Sequence, residues 1–199
     1  MISYLPKEKQ HELELLAASY GQPLLRIVDL GTNNYFDPLN RSDRYGEVCM
    51  VVRRPNGKLL TMKKMFYPPD GYRLLTGGIN HGETILAALL RETQEETGLE
   101  VEVERFLVAA AYRTLNTGET PSFYTFAFLL NEIGGNLGAL DEGEQVEAFR
   151  EIAPNELQAI AERLEQLQNS YSHELNGKWG EWGQFRAVIH RLVWETWQH

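Results

Sequence analysis

The sequence predicts an α/β fold in which a mixed β-sheet lies between two layers of helices, with additional helices at both ends of the chain. Two observations support this α/β/α sandwich. Apolar segments bounded by Pro, Gly and Asn turns have the length and composition of strands, and other segments repeat their apolar residues with a helical period. The two kinds of segment interleave along the chain, which favours helices on both faces of one sheet.

Residues 1–44 are predicted to form an N-terminal extension before the core. A helix is expected over residues 6–19, because Pro6 suits the first turn of a helix and Leu13, Leu16 and Ala17 share one face. A short strand is expected over 24–30. The segment 31–45 is rich in Asn, Asp and Gly and is predicted to be a loop.

Residues 45–153 are predicted to form the core domain, and residues 154–199 to form helices that pack on it. The core opens with a hairpin whose turn contains Pro55, Asn56 and Gly57. Pro154 is expected to begin a helix that ends near residue 168. Strands are predicted at 48–53, 58–65, 72–75, 101–111, 122–130 and 146–152, loops at 114–120, 131–145 and 169–182, and a last helix at 184–197.

The segment 77–99 carries most of the chemical information in the sequence. A glycine-rich turn is expected at its start, followed by a helix over 84–96 that Gly98 ends in a left-handed conformation. At 100° per residue, Glu92, Glu95 and Glu96 lie side by side on the flank of an apolar stripe. The predicted stripe consists of Ile85, Leu86, Leu89, Leu90, Thr93 and Thr97.

Three carboxylates in the last turn of a helix repel one another and oppose the helix dipole. Arg91 can pair with Glu95 one turn away, but one guanidinium cannot neutralise three acids. A solvated acidic face would explain an isolated Glu-Glu pair. A divalent cation would explain all three acids, and oxygen ligands without His or Cys favour Mg²⁺ or Mn²⁺.

Seven residues at fixed positions relative to one another extend this pattern well beyond an acidic pair. The seven residues are Gly77, Glu83, Arg91, Glu92, Glu95, Glu96 and Gly98. The segment resembles the Nudix box of the Nudix hydrolases, although Thr93 stands where an aliphatic residue is usual and Leu75-Thr76 where many members have Pro-Gly. The resemblance covers about residues 45–153, with the specific match confined to 77–99, and it implies the Nudix fold.

The resemblance implies hydrolysis of a pyrophosphate bond in a nucleoside diphosphate linked to another group, with Mg²⁺ as cofactor. A nucleotide sugar, an ADP-ribose-like compound and a nucleoside di- or triphosphate remain open as the small-molecule substrate. The alternative is a non-catalytic Nudix-like domain that senses a ligand and releases no phosphate. An isomerase on this fold would need a catalytic cysteine, and the sole cysteine, Cys49, lies in an apolar run and is expected to be a buried thiol.

The resemblance also assigns roles to individual residues. The metal ligands would be Glu92, Glu95, Glu96 and the carbonyl of Gly77, whose missing side chain lets the main chain approach an ion. The general base would be Glu95 or an acid of the 141–144 loop, with Glu144 preferred there. Among the catalytic residues, Arg91 is expected to orient the acidic helix, while Glu83 and Gly98 are expected to support the structure of the box.

Substrate contacts are sought among basic and aromatic residues. Arg73, just before the glycines, and Arg113, at the end of a strand, are candidates for binding phosphate. Trp182 and Trp179 are candidates for stacking on a base or sugar. The alternative for the tryptophans of the C-terminal region is apolar docking of the last helix on the core or on a second subunit.

Composition limits the partners and the compartment. With 19 Lys and Arg against 28 Asp and Glu, the net charge of −9 argues against nucleic-acid or anionic-membrane binding. One cysteine excludes an internal disulfide, the charged N-terminus does not resemble a signal peptide, and no apolar run approaches 18 residues, so we expect a cytoplasmic protein. A homodimer, if formed, is expected to use the N-terminal extension or the C-terminal helix.

Overall fold

A computed structural model of the chain describes residues 2–32, 39 and 44–198. Most of the loop predicted at 31–45 lies outside the described residues. Within these described residues the α-helices are α1 (Lys7–Tyr20), α2 (Ile85–Thr97), α3 (Leu157–Glu165) and α4 (Trp179–Trp197). The strands are β1 (Leu24–Asp29), β2 (Gly46–Arg53), β3 (Leu59–Lys64), β4 (Leu75–Gly78), β5 (Leu99–Arg113), β6 (Phe123–Gly135), β7 (Val146–Ile152), β8 (Tyr171–Ser172) and β9 (Gly177–Lys178).

Seven of the strands form one mixed sheet. Its order is β1-β5-β6-β2-β3-β7, and β4 pairs with β2 outside this path. The pairs β1–β5 and β2–β6 are parallel, and the remaining pairs are antiparallel. Strands β8 and β9 form a separate small hairpin. The predicted α/β class with a mixed sheet is therefore confirmed.

Strand β2 lies in the middle of the fold, and both of its faces are covered. Val48 and Met50 pack in the cluster that includes apolar residues of α1 and α2, while Cys49 and Val51 pack in the cluster that includes α3 and α4. A strand buried on both faces reads as a continuous apolar run, which explains the sequence of this segment. The expected burial of Cys49 is confirmed, and burial raises the pKa of its thiol.

The N-terminal helix α1 contacts the start of the helix that carries the acids. Glu12 accepts a hydrogen bond from the Ile85 amide, and Lys9 Nζ donates to the Glu83 carbonyl oxygen at 2.8 Å. Amides in the first turn of a helix have no partner inside the helix, so Glu12 satisfies one of them. The extension thereby fixes the end of α2 from which the box loop departs.

Several predicted boundaries were wrong. Gly77 and Gly78 are not in a turn but in strand β4, where Gly77 pairs with Val48, and the turn follows at residues 81–82. The strand expected at 72–75 is reduced to a single bridge between Met62 and Arg73 before β4. Strand β6 extends to Gly135, into a segment predicted to be a loop.

The C-terminal region also differs from the prediction. Pro154 begins a 3₁₀ turn, and the α-helix proper runs from Leu157 only to Glu165. The segment 169–182, predicted to be a loop, contains the β8–β9 hairpin and the first turn of α4. None of the described helices is long and apolar enough to cross a membrane.

Candidate active site

The acids of the box are presented by α2, whose two ends are capped. At its start, the Thr84 hydroxyl accepts a hydrogen bond from the Ala87 amide at 3.1 Å. At its end, Gly98 adopts the left-handed conformation with φ 65°, and its N–H donates to the Gln94 carbonyl oxygen, as predicted. A Cβ at position 98 would come within 2.8 Å of two carbonyl oxygens in the 136–138 segment, so both the conformation and the space require glycine.

The buried face of α2 differs from the predicted stripe and contains two of the three acids. Leu90 was assigned to the stripe but is exposed, whereas Glu92 and Glu96 are only 8% and 1% exposed. Thr93, the departure from the usual aliphatic residue, is buried, and its hydroxyl donates to the Leu89 carbonyl oxygen at 2.7 Å. The helix therefore turns Glu92 and Glu96 inwards and leaves Glu95 at the rim.

Arg91 connects the box loop to the acids. Its guanidinium donates to both carboxylate oxygens of Glu83 at 2.8 Å, to Glu92 Oε1 at 2.9 Å and to Glu95 Oε2 at 2.9 Å. It also donates to the Gly78 carbonyl oxygen at 3.0 Å. These hydrogen bonds hold the pKa of Glu83 below its usual range and use the planar fork of arginine, which lysine does not offer.

Glu96 lies at the bottom of the acidic cluster. Its Oε2 atom is buried and accepts no hydrogen bond from the described residues, and Lys64 Nζ lies 3.7 Å from its Oε1 atom. Burial raises the pKa of Glu96 to about 8. A buried acceptor without a partner is costly unless a ligand completes it. Glu96 is therefore the clearest candidate for contact with a cation or a substrate.

These acids open onto a cleft of about 320 Å³. Glu144, from the loop before β7, also faces it, and Lys64 Nζ donates to Glu144 Oε2 at 2.8 Å. The walls combine acidic, basic and aromatic side chains, which suits a small, charged ligand with an aromatic group. The charged and aromatic lining residues are Arg44, Glu47, Lys64, Phe66, Tyr67, Arg73, Glu92, Glu96, Glu144, Glu174, Trp182 and Arg186.

The donor chemistry of the cluster fits a hard divalent cation. Carboxylate oxygens dominate, one of them lacks a partner, and the Gly77 main chain lies directly against Glu92. Within the described part of the chain, however, no three His, Cys, Asp or Glu side chains are grouped so that they could hold an ion. Arg91 donates hydrogen bonds to Glu92 and Glu95, and Lys64 donates one to Glu144, so a bound cation would have to compete with both basic residues.

The predicted substrate contacts are distributed unevenly. Arg73 borders the cleft but is 2% exposed, and it donates to the Tyr67 hydroxyl, the Leu74 carbonyl oxygen and the Thr76 hydroxyl. Arg113 is not among the cleft residues and forms two hydrogen bonds of 2.7 Å to Asp29. The structure thus brings Arg73 to the cleft and leaves Arg113 at the end of β5.

The tryptophans at the start of α4 form part of an aromatic cluster. Trp182 is 1% exposed and borders the cleft. The centroid of its ring lies 4.8 Å from that of Tyr67 and 5.1 Å from that of Trp179. Edge-on contacts of this kind stabilise the docking of the helix on the core. Trp182 therefore packs against the core and also forms part of the cleft wall.

Sequence reasoning assigned no site role to several charged residues of the cleft, of which Glu47 and Arg186 form a buried pair. Glu47 lies on β2, next to a run of apolar residues, and was given no role. Arg186 follows Trp182 by one helical turn, and the same spacing leads to His190, so all three share one buried face of α4. An arginine on the buried face of an amphipathic helix was the sequence feature that could have identified it.

Comparison with known proteins agrees with this geometry. The sequence matches the NUDIX domain family over residues 44–174, which is more than half of the chain. It is 31% identical over 167 residues to the ADP-ribose pyrophosphatase of Methanocaldococcus jannaschii, covering 83% of this chain and 92% of that protein.

Similar solved structures include a UDP-X diphosphatase, with a TM-score of 0.49, 17% identity, and coverage of 98% of this chain and 72% of that one. An ADP-ribose pyrophosphatase from Streptococcus suis is also similar, with a TM-score of 0.45, 16% identity, and coverage of 77% of this chain and 92% of that one. The family match and the relative from Methanocaldococcus jannaschii show that the chain belongs to the Nudix hydrolase family.

Proposed function

We propose that this Nudix pyrophosphohydrolase cleaves the diphosphate of a nucleoside diphosphate linked to a sugar, with ADP-ribose as the representative compound. The observation that carries the proposal is that Glu92, Glu96 and Glu144 face one cleft that basic and aromatic side chains also line. A diphosphate needs its charge balanced, and a nucleoside needs a flat apolar surface. The name of the relative from Methanocaldococcus jannaschii supports the choice of ADP-ribose among the possible nucleotides.

We expect Mg²⁺ or Mn²⁺ to be held by the side chains of Glu92 and Glu96 and by the Gly77 carbonyl oxygen. Glu95 would join them once its carboxylate leaves Arg91, to which it is bound at 2.9 Å. A divalent cation supplies positive charge for the diphosphate oxygens and acidifies a water molecule. Arg91 then acts as a positioning residue, because its remaining hydrogen bonds hold Glu83 and the Gly78 carbonyl oxygen in place.

We assign the general base to Glu144 rather than Glu95. Glu144 faces the cleft, and Lys64 Nζ holds its carboxylate there by donating to Oε2 at 2.8 Å. Glu95 lies at the rim and is engaged by Arg91. Glu144 would take a proton from the attacking water, the water oxygen would bond to one phosphorus, and the bridging P–O bond would break. The two products would be a nucleoside monophosphate and a sugar phosphate.

The experiment is product analysis by mass spectrometry after incubation with Mg²⁺. The panel contains ADP-ribose, nucleotide sugars, dinucleoside polyphosphates, NADH, and nucleoside di- and triphosphates. We expect AMP and ribose 5-phosphate from ADP-ribose, and ¹⁸O from labelled water should enter only the phosphate that is attacked. No product from any compound, with metal binding intact, would contradict the proposal and favour the ligand-sensing alternative.

A variant pair tests the assignment of the base. Glu144→Gln should lower kcat on the order of a hundredfold, because a positioned general base contributes about that much or more. Glu147→Gln is the matched control, since Glu147 lies on the adjacent strand and pairs with Lys63 at 2.8 Å instead of facing the cleft. If Glu144→Gln retains the kcat of the wild type, Glu144 is not the base.

A further inference from the structure

A buried ion pair joins the central strand to the last helix at the wall of the cleft. Glu47 on β2 and Arg186 on α4 are 3% and 6% exposed, and both line the cleft. Arg186 Nη1 donates to Glu47 Oε1 at 2.7 Å and to Oε2 at 2.9 Å. The Thr125 hydroxyl donates to Glu47 Oε1 at 3.0 Å, so the carboxylate is held by two partners.

The guanidinium of Arg186 is only partly satisfied by this pair. Every hydrogen bond that it makes to a described residue leaves from Nη1, and the buried Nε atom has no acceptor among the described residues. Of its five N–H groups, Nε–H and the two on Nη2 therefore donate to none of the described residues, and they can serve an additional acceptor. Buried donors are rarely left without an acceptor, because the desolvation cost is not recovered.

The main chain around Arg186 is fixed as well. His190 Nε2 accepts a hydrogen bond from the Leu74 amide at 2.9 Å, which makes Nδ1 the protonated nitrogen of a neutral ring. His190 Nδ1 lies 2.8 Å from the Arg186 carbonyl oxygen and donates to it. Arg186 is thus held at its carbonyl group by His190 and at its guanidinium by Glu47, so little ordering remains when a ligand binds.

We propose that Arg186 binds a phosphate oxygen of the substrate, with Glu47 as the positioning residue that aims its guanidinium. A guanidinium with free N–H groups on adjacent nitrogens matches the oxygens of a phosphate group. The inference rests on the proposed function and deepens it, because it names a residue outside the Nudix box that recognises the diphosphate. The box acids would bind the cation, and the wall formed by α4 would bind the anion.

The competing explanation is that the pair only fastens α4 to the sheet. Single substitutions do not separate the two, because Arg186→Met leaves the Glu47 charge buried without its partner and is expected to destabilise the fold. The double variant Glu47→Gln/Arg186→Met removes both charges and keeps similar volumes. A fastening role predicts normal ligand binding in any folded double variant, whereas the proposal predicts a folded protein that binds phosphate poorly.

The matched control lies on the same helix. Arg191 forms hydrogen bonds of 2.9 and 2.7 Å to Glu165 of α3, outside the cleft and largely exposed to solvent. The double variant Glu165→Gln/Arg191→Met makes the same chemical changes and also removes an Arg–Glu pair involving α4. It therefore reports the general effect of such a change on the docking of this helix.

The test is a calorimetric titration of each protein with inorganic pyrophosphate, in a metal-free buffer that contains EDTA. We expect the wild type and the Arg191 double variant to bind pyrophosphate with similar affinity. The Arg186 double variant should bind it at least about tenfold more weakly, because a charged hydrogen-bonding partner is lost. Thermal melting must show that both double variants are folded. A folded Arg186 double variant with wild-type affinity, or a wild type that does not bind pyrophosphate, would overturn the inference.

The result is separable from the substrate assignment. Pyrophosphate is common to all proposed substrates, and the titration does not require turnover. Dependence of binding on Arg186 without hydrolysis of any panel compound would refute the proposed substrates and support the anion site. On a hydrolysed substrate, the Arg186 double variant should raise KM by about tenfold with a smaller change in kcat, because the contact exists before the reaction begins.

Discussion

The carboxylate of Glu92 lies directly against the main chain of Gly77, and a Cβ atom added at position 77 would come within 2.1 Å of Glu92 Cδ. The first glycine of the box and its second acid are therefore one structural unit, although they are far apart in sequence. Gly77 lies on strand β4, paired with Val48, while Glu92 projects from α2. The side chain that is absent at position 77 creates the space that the carboxylate occupies.

Gly77→Ala should displace the Glu92 carboxylate and lower kcat on the order of a hundredfold, as expected when a reacting group is misplaced by about 1 Å. Stability should change less, because the strand conformation of residue 77 is open to alanine. Gly138→Ala is the control, since no atom lies within 4 Å of the Cβ position there. Steady-state kinetics and thermal melting check both variants, and an active Gly77→Ala enzyme would show that the position of Glu92 is not critical.

Glu96→Gln should lower turnover by on the order of a hundredfold or more while preserving the fold, because it removes a proposed metal ligand. Burial raises the pKa of Glu96 to about 8, so the neutral form is favoured in the folded protein. In EDTA, the stability of the wild type should therefore decline as pH rises from 4.5 towards about 8, and that of the variant should decline less. Binding of Mn²⁺, followed by electron paramagnetic resonance, should weaken in the variant. Unchanged turnover and Mn²⁺ affinity would exclude Glu96 as a ligand.

Arg91→Lys should lower kcat by about ten- to a hundredfold with little change in KM. One ammonium group cannot replace the fork that binds Glu83, Glu92 and Glu95 together, so the acids lose their relative positions. Arg191→Lys, at a surface ion pair, is the control and should retain wild-type kinetics. A rise in KM with kcat unchanged would instead identify Arg91 as a substrate contact.

The box helix could be predicted well because local sequence determines it. The predicted helix over 84–96 and the observed α2 differ by one residue at each end, and Gly98 has the expected conformation. The capping hydroxyl of Thr84, the apolar period and the final glycine all act within a few residues. The burial of Leu90 was predicted wrongly, because periodicity defines a stripe but not which neighbour covers each edge of it.

The rest of the site depends on contacts that local sequence does not encode. Arg186 is separated from Glu47 by 139 residues, and their approach follows from how α4 packs on the sheet. Arg113 was assigned to substrate because it ends a strand, but a parallel neighbour, β1, supplies Asp29 at the same level of the sheet. The first case required knowledge of how the last helix packs on the sheet and the second of strand order, and periodicity provides neither.

His190 provides a prediction about pH that does not involve the proposed metal ligands. It is fully buried and neutral, and burial lowers its pKa to about 3 from an ordinary value of 6.5. The pKa of His190 is therefore lower in the folded protein than in the unfolded chain. The neutral ring then contributes its full stabilisation above pH 6.5. This stabilisation is lost as pH falls from 6.5 towards 3, because the unfolded chain takes up the proton first.

At pH 5 the loss attributable to His190 should be about 2 kcal/mol, at ~1.4 kcal/mol per pH unit below 6.5. His190→Gln should be less stable than the wild type at pH 7.5, since its amide replaces the hydrogen bonds to Leu74 and Arg186 imperfectly. Between pH 7.5 and pH 5 it should lose less stability than the wild type, because it has no ring to protonate. Urea unfolding at both pH values measures these losses of stability. The control is His11→Gln, since the side chain of His11 on α1 is exposed. Equal losses in His190→Gln and the wild type would show that His190 is not the residue whose protonation destabilises the fold.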